Sequence, residues 1–345
     1  MKPSPFSSPE NFRHNFETGL QELLSGYDEL GVYILVLANA GFDPVLWQVL
    51  GDKLRRRFLR LAANMRETDR QGLILDDAED DLSVFRRLLA VGFDGLSATE
   101  FRQVGPWELQ FNPLRAFRPA RMTGKAVTRI TAPYDPAGFN FNKPFLRKEI
   151  LWQGWLCGRN AAVFYNKFPF VEMHGLLVPE PRAGLSQFLR ERDNDYLWQL
   201  TETLARTLPG VGFGYNSLGA YASVNHLHFQ MFQRRRMLPV ADPLWQHNGG
   251  SLAYPLRCQC FFSSAEAWRL VSELHRRNIS YNLIYLPGRI YCLRRLRQGE
   301  YSHSPWARGF AWYETAGGFT IFERENFNSI GQQELASELA LLADG

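Results

Sequence analysis

GFGYNSLGAYASVNHLHFQMF, residues 212–232, is the most informative stretch of this chain, and at its heart stands His226-Leu227-His228-Phe229-Gln230. If the segment is extended, side chains alternate across it, so His226, His228 and Gln230 share one face while Leu227 and Phe229 turn to the core. A half-buried strand ordinarily carries Thr, Ser, Lys or Glu on its wet side. One histidine in a strand is most often a satisfied structural residue. Here two of the seven histidines share a face with a carboxamide. They follow a Gly-, Ser- and Asn-rich approach that lets backbone come close to a ligand. The pattern reads as a site.

The rest of the composition narrows what such a site serves. The chain has 345 residues, enough for one large domain or two closely packed ones, and its 45% hydrophobic and 14% aromatic content excludes a disordered chain. A formal net charge of +4 is mild. It lacks the dense basic stripe of a nucleic-acid binder but suits a small anionic substrate. The four cysteines, Cys157, Cys258, Cys260 and Cys292, are scattered, include no C-x-x-C pair, and read as reduced thiols. The first residues, MKPSPFSSPENF, have no apolar core of the secretory kind, and the apolar run 32–40 is too short to span a bilayer. A cytoplasmic protein with no membrane role is expected.

In chain order, residues 16–24 predict a short helix and 44–66 a longer amphipathic one, with Leu50, Leu54, Phe58 and Leu61 on its apolar stripe. Residues 76–81 are acidic and read as a loop; Ser97-Ala-Thr-Glu100 reads as a capping box that opens a helical turn. Strands are expected at 107–112, 150–155, 161–165, 171–179 (carrying His174), 281–286, 289–293 and 318–323. Helices are expected at 186–208, 265–277 and 332–342. The organisation is a mostly helical region, 1–105, packed on a core, 106–330, with a closing helix, 331–345.

A His/His/Gln face suits attack on phosphorus. Neutral imidazole is a good nucleophile at neutral pH, and one tautomer must be held by a hydrogen bond from the other ring nitrogen. His228, central in the triplet, is the natural nucleophile. Gln230 can donate to a non-bridging phosphate oxygen but supplies no titratable proton, so the leaving group should depart unaided as an anion. A sugar phosphate or a nucleotide does so. Transfer in two displacements at one phosphorus follows, with no metal and no cofactor. His247, His275 and His303 are isolated and read as structural or surface residues, and Arg234-Arg-Arg236 reads either as a phosphate contact or as an exposed strand end or loop.

The motif His-x-His-x-Gln resembles the signature of the transferase branch of the histidine-triad superfamily, which includes galactose-1-phosphate uridylyltransferase. The longer run GYNSLGAYASVNHLHFQ is similar to the GDP-hexose phosphorylases, the GDP-L-galactose and GDP-D-glucose enzymes. Pro136-Ala-Gly-Phe-Asn-Phe-Asn-Lys143, Lys148-Glu-Ile-Leu-Trp152, His174-Gly-Leu-Leu-Val-Pro179 and Ser280-Tyr-Asn-Leu-Ile284 agree in order. The likeness runs from about residue 111 to near 328; Asn142 and Phe168-Pro-Phe170 depart from it.

The resemblance implies an α+β fold, an antiparallel sheet with flanking helices built as two fused histidine-triad-like halves. It implies His228 as nucleophile, Gln230 as the residue that steadies the nucleotidyl intermediate, and His226 as the one that orients His228 through its carbonyl. His174, Ser223, Asn225, Asn216 and Lys143 are implied to contact substrate or phosphate. The expected activity is a phosphorylase that cleaves a nucleoside diphosphate hexose, GDP-hexose foremost, with inorganic phosphate, in a monomer or homodimer. A diadenosine polyphosphate phosphorylase, a hexose-1-phosphate uridylyltransferase and a nucleotide-binding regulator are the alternatives.

Overall fold

The computed structural model of the chain describes residues 4–72, 78–118 and 127–343. Four helices come first: α1 (Pro9–Gly26), α2 (Leu30–Phe42), α3 (Pro44–Arg70) and α4 (Glu79–Val91). The apolar run at 32–40 becomes the middle of α2, whose residues are apolar all round and almost all buried among its neighbours. Ser8 and Asp43 cap α1 and α3 with their side-chain oxygens, each followed by a proline in the first turn. Of the acidic stretch expected as a loop, 76 and 77 lie outside the described residues. Glu79, Asp80 and Asp81 form the first turn of α4, where the helix dipole favours negative charge.

Next come β1 (Glu100–Val104) and β2 (Trp107–Phe111), an antiparallel hairpin turned by Gly105 at φ +57°. The helical turn expected at 97–100 is therefore absent. Glu100 opens β1 opposite Phe111, and its carboxylate pairs with Arg324 instead of folding back as a cap. The stretch 113–121, expected to be irregular, holds a 3-10 turn at Arg115–Phe117; residues 119–121 lie outside the described ones.

The central sheet follows: β3 (Ile150–Leu156), β4 (Arg159–Tyr165), β5 (Gly175–Pro179), then α5 (Glu191–Ala205), β6 (Val211–Asn216), β7 (Phe229–Gln233), β8 (Cys258–Phe261), α6 (Ser264–Arg276), β9 (Ser280–Leu286) and β10 (Arg289–Arg295). After them come α7 (Trp312–Thr315), β11 (Gly318–Ile321), α8 (Arg324–Ser329) and α9 (Gln332–Ala340). The eight-stranded sheet has the order β3-β4-β5-β7-β6-β9-β10-β8 and is antiparallel at every pairing. A second, three-stranded sheet, β1-β2-β11, contains a parallel pair, β2 with β11. The fold is α+β, as expected.

Strand alternation assigns the two faces of the large sheet. Phe213 and Tyr215 of β6, Phe229 and Met231 of β7, and Leu283 and Tyr285 of β9 share one core with α1 to α6. The opposite face carries Gly212, Gly214 and Asn216 of β6, Gln230 and Phe232 of β7, and Ile284 of β9. Phe232 and Ile284 join a second core with Trp312, β2, β11 and α9. Gln230 and Asn216, two of the expected site residues, lie on this second face.

Candidate active site

The His/Gln triplet is only partly a strand. The ladder of β7 starts at Phe229, because the backbone before it bonds elsewhere: the Leu227 N–H donates to the Leu185 carbonyl at 2.7 Å, and the His228 N–H to Oε1 of Gln187 at 2.9 Å. The approach stays extended nonetheless. Leu227 and Phe229 are fully buried, as alternation requires, and His226 and His228 face the other way, onto the ring of Phe141 at 5.6 and 5.2 Å.

The hydrogen bonds fix each tautomer. Nδ1–H of His228 donates to the His226 carbonyl at 2.8 Å, which leaves the Nε2 lone pair as the ring's nucleophilic atom. Burial holds this imidazole's pKa down to about 4, against the pull of that carbonyl, so the ring is neutral at pH 7. In His226 the roles reverse, since Nδ1 accepts from the Phe141 N–H at 3.2 Å. Burial, with His228 adding to it, lowers His226 to about 4 as well.

Gln230 is set by a residue far along the chain. Trp312 can only donate, and its Nε1–H reaches Oε1 of Gln230 at 2.9 Å, so the Gln230 amide turns its NH2 away from the indole. The indole gets there by lying on β6 at Gly214, the residue paired with Gln230. A Cβ at that position would sit 2.2 Å from the ring. Trp312 is held in turn by its own N–H, which donates to Oδ1 of Asn216 at 2.9 Å, and by stacking on Phe232 at 5.1 Å.

Asn216 accepts a second bond, from Asn282 Nδ2 at 2.7 Å, so the group it offers outward is its own Nδ2 amide. Gln187, wholly buried, closes the arrangement. Its Nε2 donates to the carbonyls of Asn216 and His228 at 3.0 and 3.3 Å, which ties His228 and the neighbouring strand to one side chain.

These groups open onto a cleft of about 500 Å3 whose lining includes His228, Gln230, Asn216, Ser223, Tyr221 and Arg115. Arg115 lies 4.2 Å over the Phe170 ring and donates to the Phe168 carbonyl at 2.8 Å. Burial and the neighbouring Arg118 draw its pKa to about 9, which still leaves it charged at neutral pH.

Other expected residues stand apart. His174 precedes β5 by one residue and lines a different cavity of about 500 Å3, with Asn39, Glu172 and Arg235. Its ring is fully buried, accepts from the Phe170 N–H at 3.3 Å, and lies 3.1 Å from the Asn166 carboxamide. Burial and Arg115 push its pKa well down, opposed by a hydrogen bond with Gln230. It therefore backs Gln230 rather than facing the cleft.

Asn225 uses Oδ1 to accept from the Gln187 N–H at 3.0 Å and Nδ2 to hold the Pro133 carbonyl at 2.7 Å. The Lys143 ammonium is spent on the carbonyls of Pro136 and Ala137 at 3.2 and 2.9 Å, and Lys143 does not line the cleft. Arg234 is neither an exposed strand end nor a phosphate contact: it is buried, with both Glu108 oxygens at 2.9 Å. Among the described residues, no three His, Cys, Asp or Glu side chains gather as a metal site requires. No described helix is long and apolar enough to cross a membrane.

Sequence reasoning missed Gln187, Trp312 and Arg115. Gln187 lies in a stretch whose pattern predicts helix from 186, whereas α5 begins at Glu191. Trp312 is 82 residues from the Gln230 it orients, and no local spacing announces such a contact.

Residues 107–232 match the family model described as "GDPGP1-like, N-terminal domain". GDP-D-glucose phosphorylase 1 of Homo sapiens is 34% identical over 128 residues, 35% of this chain and 32% of that protein. GDP-L-galactose phosphorylase 2 of Arabidopsis thaliana is 28% identical over 139 residues, again 35% of this chain and 32% of the relative. The chain thus spans about a third of the length of the curated relatives it matches. A crystal structure of yeast Ap4A phosphorylase Apa2 in complex with Ap4A aligns at a TM-score of 0.49 and 16% identity, over 79% of this chain and 100% of that one. The matched residues 107–232, which contain His226, His228 and Gln230, are thus similar to the N-terminal domain of the GDPGP1-like proteins.

Proposed function

We propose that this chain is a nucleotidyltransferase of the GDP-hexose phosphorylase type, working through a covalent nucleotidyl-His228 intermediate. The observation that carries the reading is the pairing of two fixed orientations. His228 presents a neutral Nε2 lone pair because its Nδ1–H is held by the His226 carbonyl, and Gln230 presents its NH2 because Trp312 holds its oxygen. A nucleophile and a donor for a non-bridging oxygen are thereby set before substrate arrives.

In the first displacement Nε2 of His228 attacks the α-phosphorus of the nucleoside diphosphate hexose. The bond from that phosphorus to the bridging oxygen breaks, and hexose 1-phosphate leaves with the electron pair. In the second, an oxygen of inorganic phosphate attacks the same phosphorus, the P–N bond breaks, and the nucleoside diphosphate departs from a regenerated imidazole. Gln230 and the Asn216 amide donate to the non-bridging oxygens throughout, and the Arg115 charge favours the anionic arms of substrate and product. Hexose 1-phosphate departs as an anion and His228, its Nδ1–H still held by the His226 carbonyl, departs as a neutral imidazole, so neither needs a proton and the absence of a titratable group at position 230 costs the reaction nothing.

The test is product analysis. Purified protein is incubated with GDP-, ADP- and UDP-hexoses, with and without phosphate, and the products are identified by mass spectrometry. The reading predicts phosphate-dependent release of hexose 1-phosphate and GDP from a GDP-hexose. Survival of every substrate in the presence of phosphate would overturn it.

A further inference from the structure

The cleft also contains a carboxyl group that the transfer chemistry does not use. Glu149, the last residue of the 3-10 turn Pro144–Glu149, lines the cleft at 8% exposure, and its carboxylate makes no hydrogen bond or ion pair with any described residue. The neighbouring charges are already matched with one another. Lys167 pairs with Asp81 and Lys148 with Glu29, each at 2.5 Å. Holding a carboxylate this deep with no partner among the described residues costs desolvation energy. A ligand that brings hydrogen-bond donors would remove the penalty.

The surroundings indicate which part of a ligand that is. From His228 a line of aromatic rings runs outward: Phe141 at 5.2 Å, Phe139 at 6.5 Å from Phe141, and Phe145 at 6.3 Å from Phe139. Phe139 and Phe145 are 41% and 55% exposed, and Phe145 belongs to the same 3-10 turn as Glu149. Flat exposed rings suit the face of a heteroaromatic base rather than the hydroxyl-studded surface of a hexose. A carboxylate is an acceptor only, with two oxygens, and its best match on a base edge is a pair of adjacent N–H donors. Guanine has that pair, N1–H beside the N2 amino group. Adenine puts an acceptor next to its amino group, and uracil sets a single N–H between two carbonyls.

We propose that the nucleoside arm of the substrate lies along Phe141, Phe139 and Phe145, and that Glu149 reads the N1–H and N2–H2 edge of guanine, selecting guanine over other bases. This assignment rests on the phosphorylase reading for its substrate, but its test does not need turnover. Binding of GMP, IMP (which lacks the N2 amino group) and AMP is measured by calorimetry on the wild-type chain and on Glu149→Gln, with kcat and KM for phosphorolysis of GDP-glucose and IDP-glucose measured beside it.

The wild type should bind GMP at least about tenfold more tightly than IMP, and AMP more weakly still. Glu149→Gln should lose about 10- to 100-fold in GMP affinity, the loss in turnover appearing in KM rather than kcat, and should bring GMP and IMP to within about threefold of each other. Because burial raises the Glu149 pKa to about 7, with Asp81 pushing the same way and Lys167 and Lys148 opposing, wild-type GMP affinity should also rise between about pH 6 and pH 8. In Glu149→Gln that rise should vanish. A folded Glu149→Gln that keeps the wild-type GMP-to-IMP ratio would overturn the assignment, as would a wild type that binds GMP and IMP equally. Should the bases rank as expected while no sugar nucleotide is cleaved, the phosphorylase reading fails and the role of Glu149 stands.

Discussion

Replacing Gly214 with alanine tests how the site is assembled. The new Cβ would lie 2.2, 2.3 and 2.5 Å from Cδ2, Cε2 and Cγ of Trp312, and reaching an ordinary 3.4 Å contact requires the indole to withdraw by about 1.2 Å. The ring has little room to do so, being stacked on Phe232 and pinned through its own backbone N–H to Asn216. Overpacking of this kind costs about 1–3 kcal/mol. The displaced indole also releases Gln230, adding about 1 kcal/mol for the lost hydrogen bond. Once free, the carboxamide no longer holds its NH2 toward the cleft, and a misplacement of this size should reduce kcat/KM about 10- to 100-fold. Urea denaturation and GDP-glucose phosphorolysis measure the two effects. Gly51, inside α3, is the control, because a Cβ added there would meet nothing within 4 Å: Gly51→Ala should stabilise by about 0.5–1 kcal/mol. A Gly214→Ala protein as stable as the wild type and within twofold of its activity would refute the indole clamp.

Two further outcomes follow from the same contacts. Gln187→Ala leaves the His228 N–H and the carbonyls of Asn216 and His228 without their partner, so it should cost about 2–3 kcal/mol in stability and about tenfold or more in kcat with a smaller change in KM. Urea denaturation and steady-state kinetics check this, and an unchanged kcat would remove Gln187 from its positioning role. The Glu149 carboxyl has a folded pKa raised from 4.5 to about 7, so the folded state holds its proton where the unfolded chain has released it. Stability from this group is present below about pH 4.5 and lost as pH rises through 7. Glu149→Gln should therefore match the wild type near pH 4.5 and exceed it by about 3 kcal/mol above pH 7, read from denaturation midpoints at both pH values.

Much of this was legible in the sequence where one short stretch held the whole signal. The alternation through 226–230 put Leu227 and Phe229 in the core and the two imidazoles on the other face, because a period of two leaves no other choice once one face is apolar. The helix α3 followed from its apolar periodicity, and α6 and α9 fall within two residues of the ranges expected for them. What the sequence hid was long-range. Ser97 to Glu100 has the letters of a capping box, yet pairing of Glu100 with Phe111 and Arg324 overrides that local preference. Gln187 reads as a helical residue and serves instead as a clamp on His228. Lys143 sits in a motif-like run, but the carbonyls of Pro136 and Ala137 take its ammonium. Trp312 and Glu149 act through contacts or a lack of contacts that only the folded chain reveals.

The central claim is that His228 becomes the covalent carrier. Incubation of the protein with a GDP-hexose in the absence of phosphate, followed by intact-mass and peptide mass spectrometry, tests it directly. The account predicts a GMP adduct on His228, lost on addition of phosphate with release of GDP and never formed in His228→Ala. Turnover of the GDP-hexose by His228→Ala, or an adduct on another residue, would contradict it.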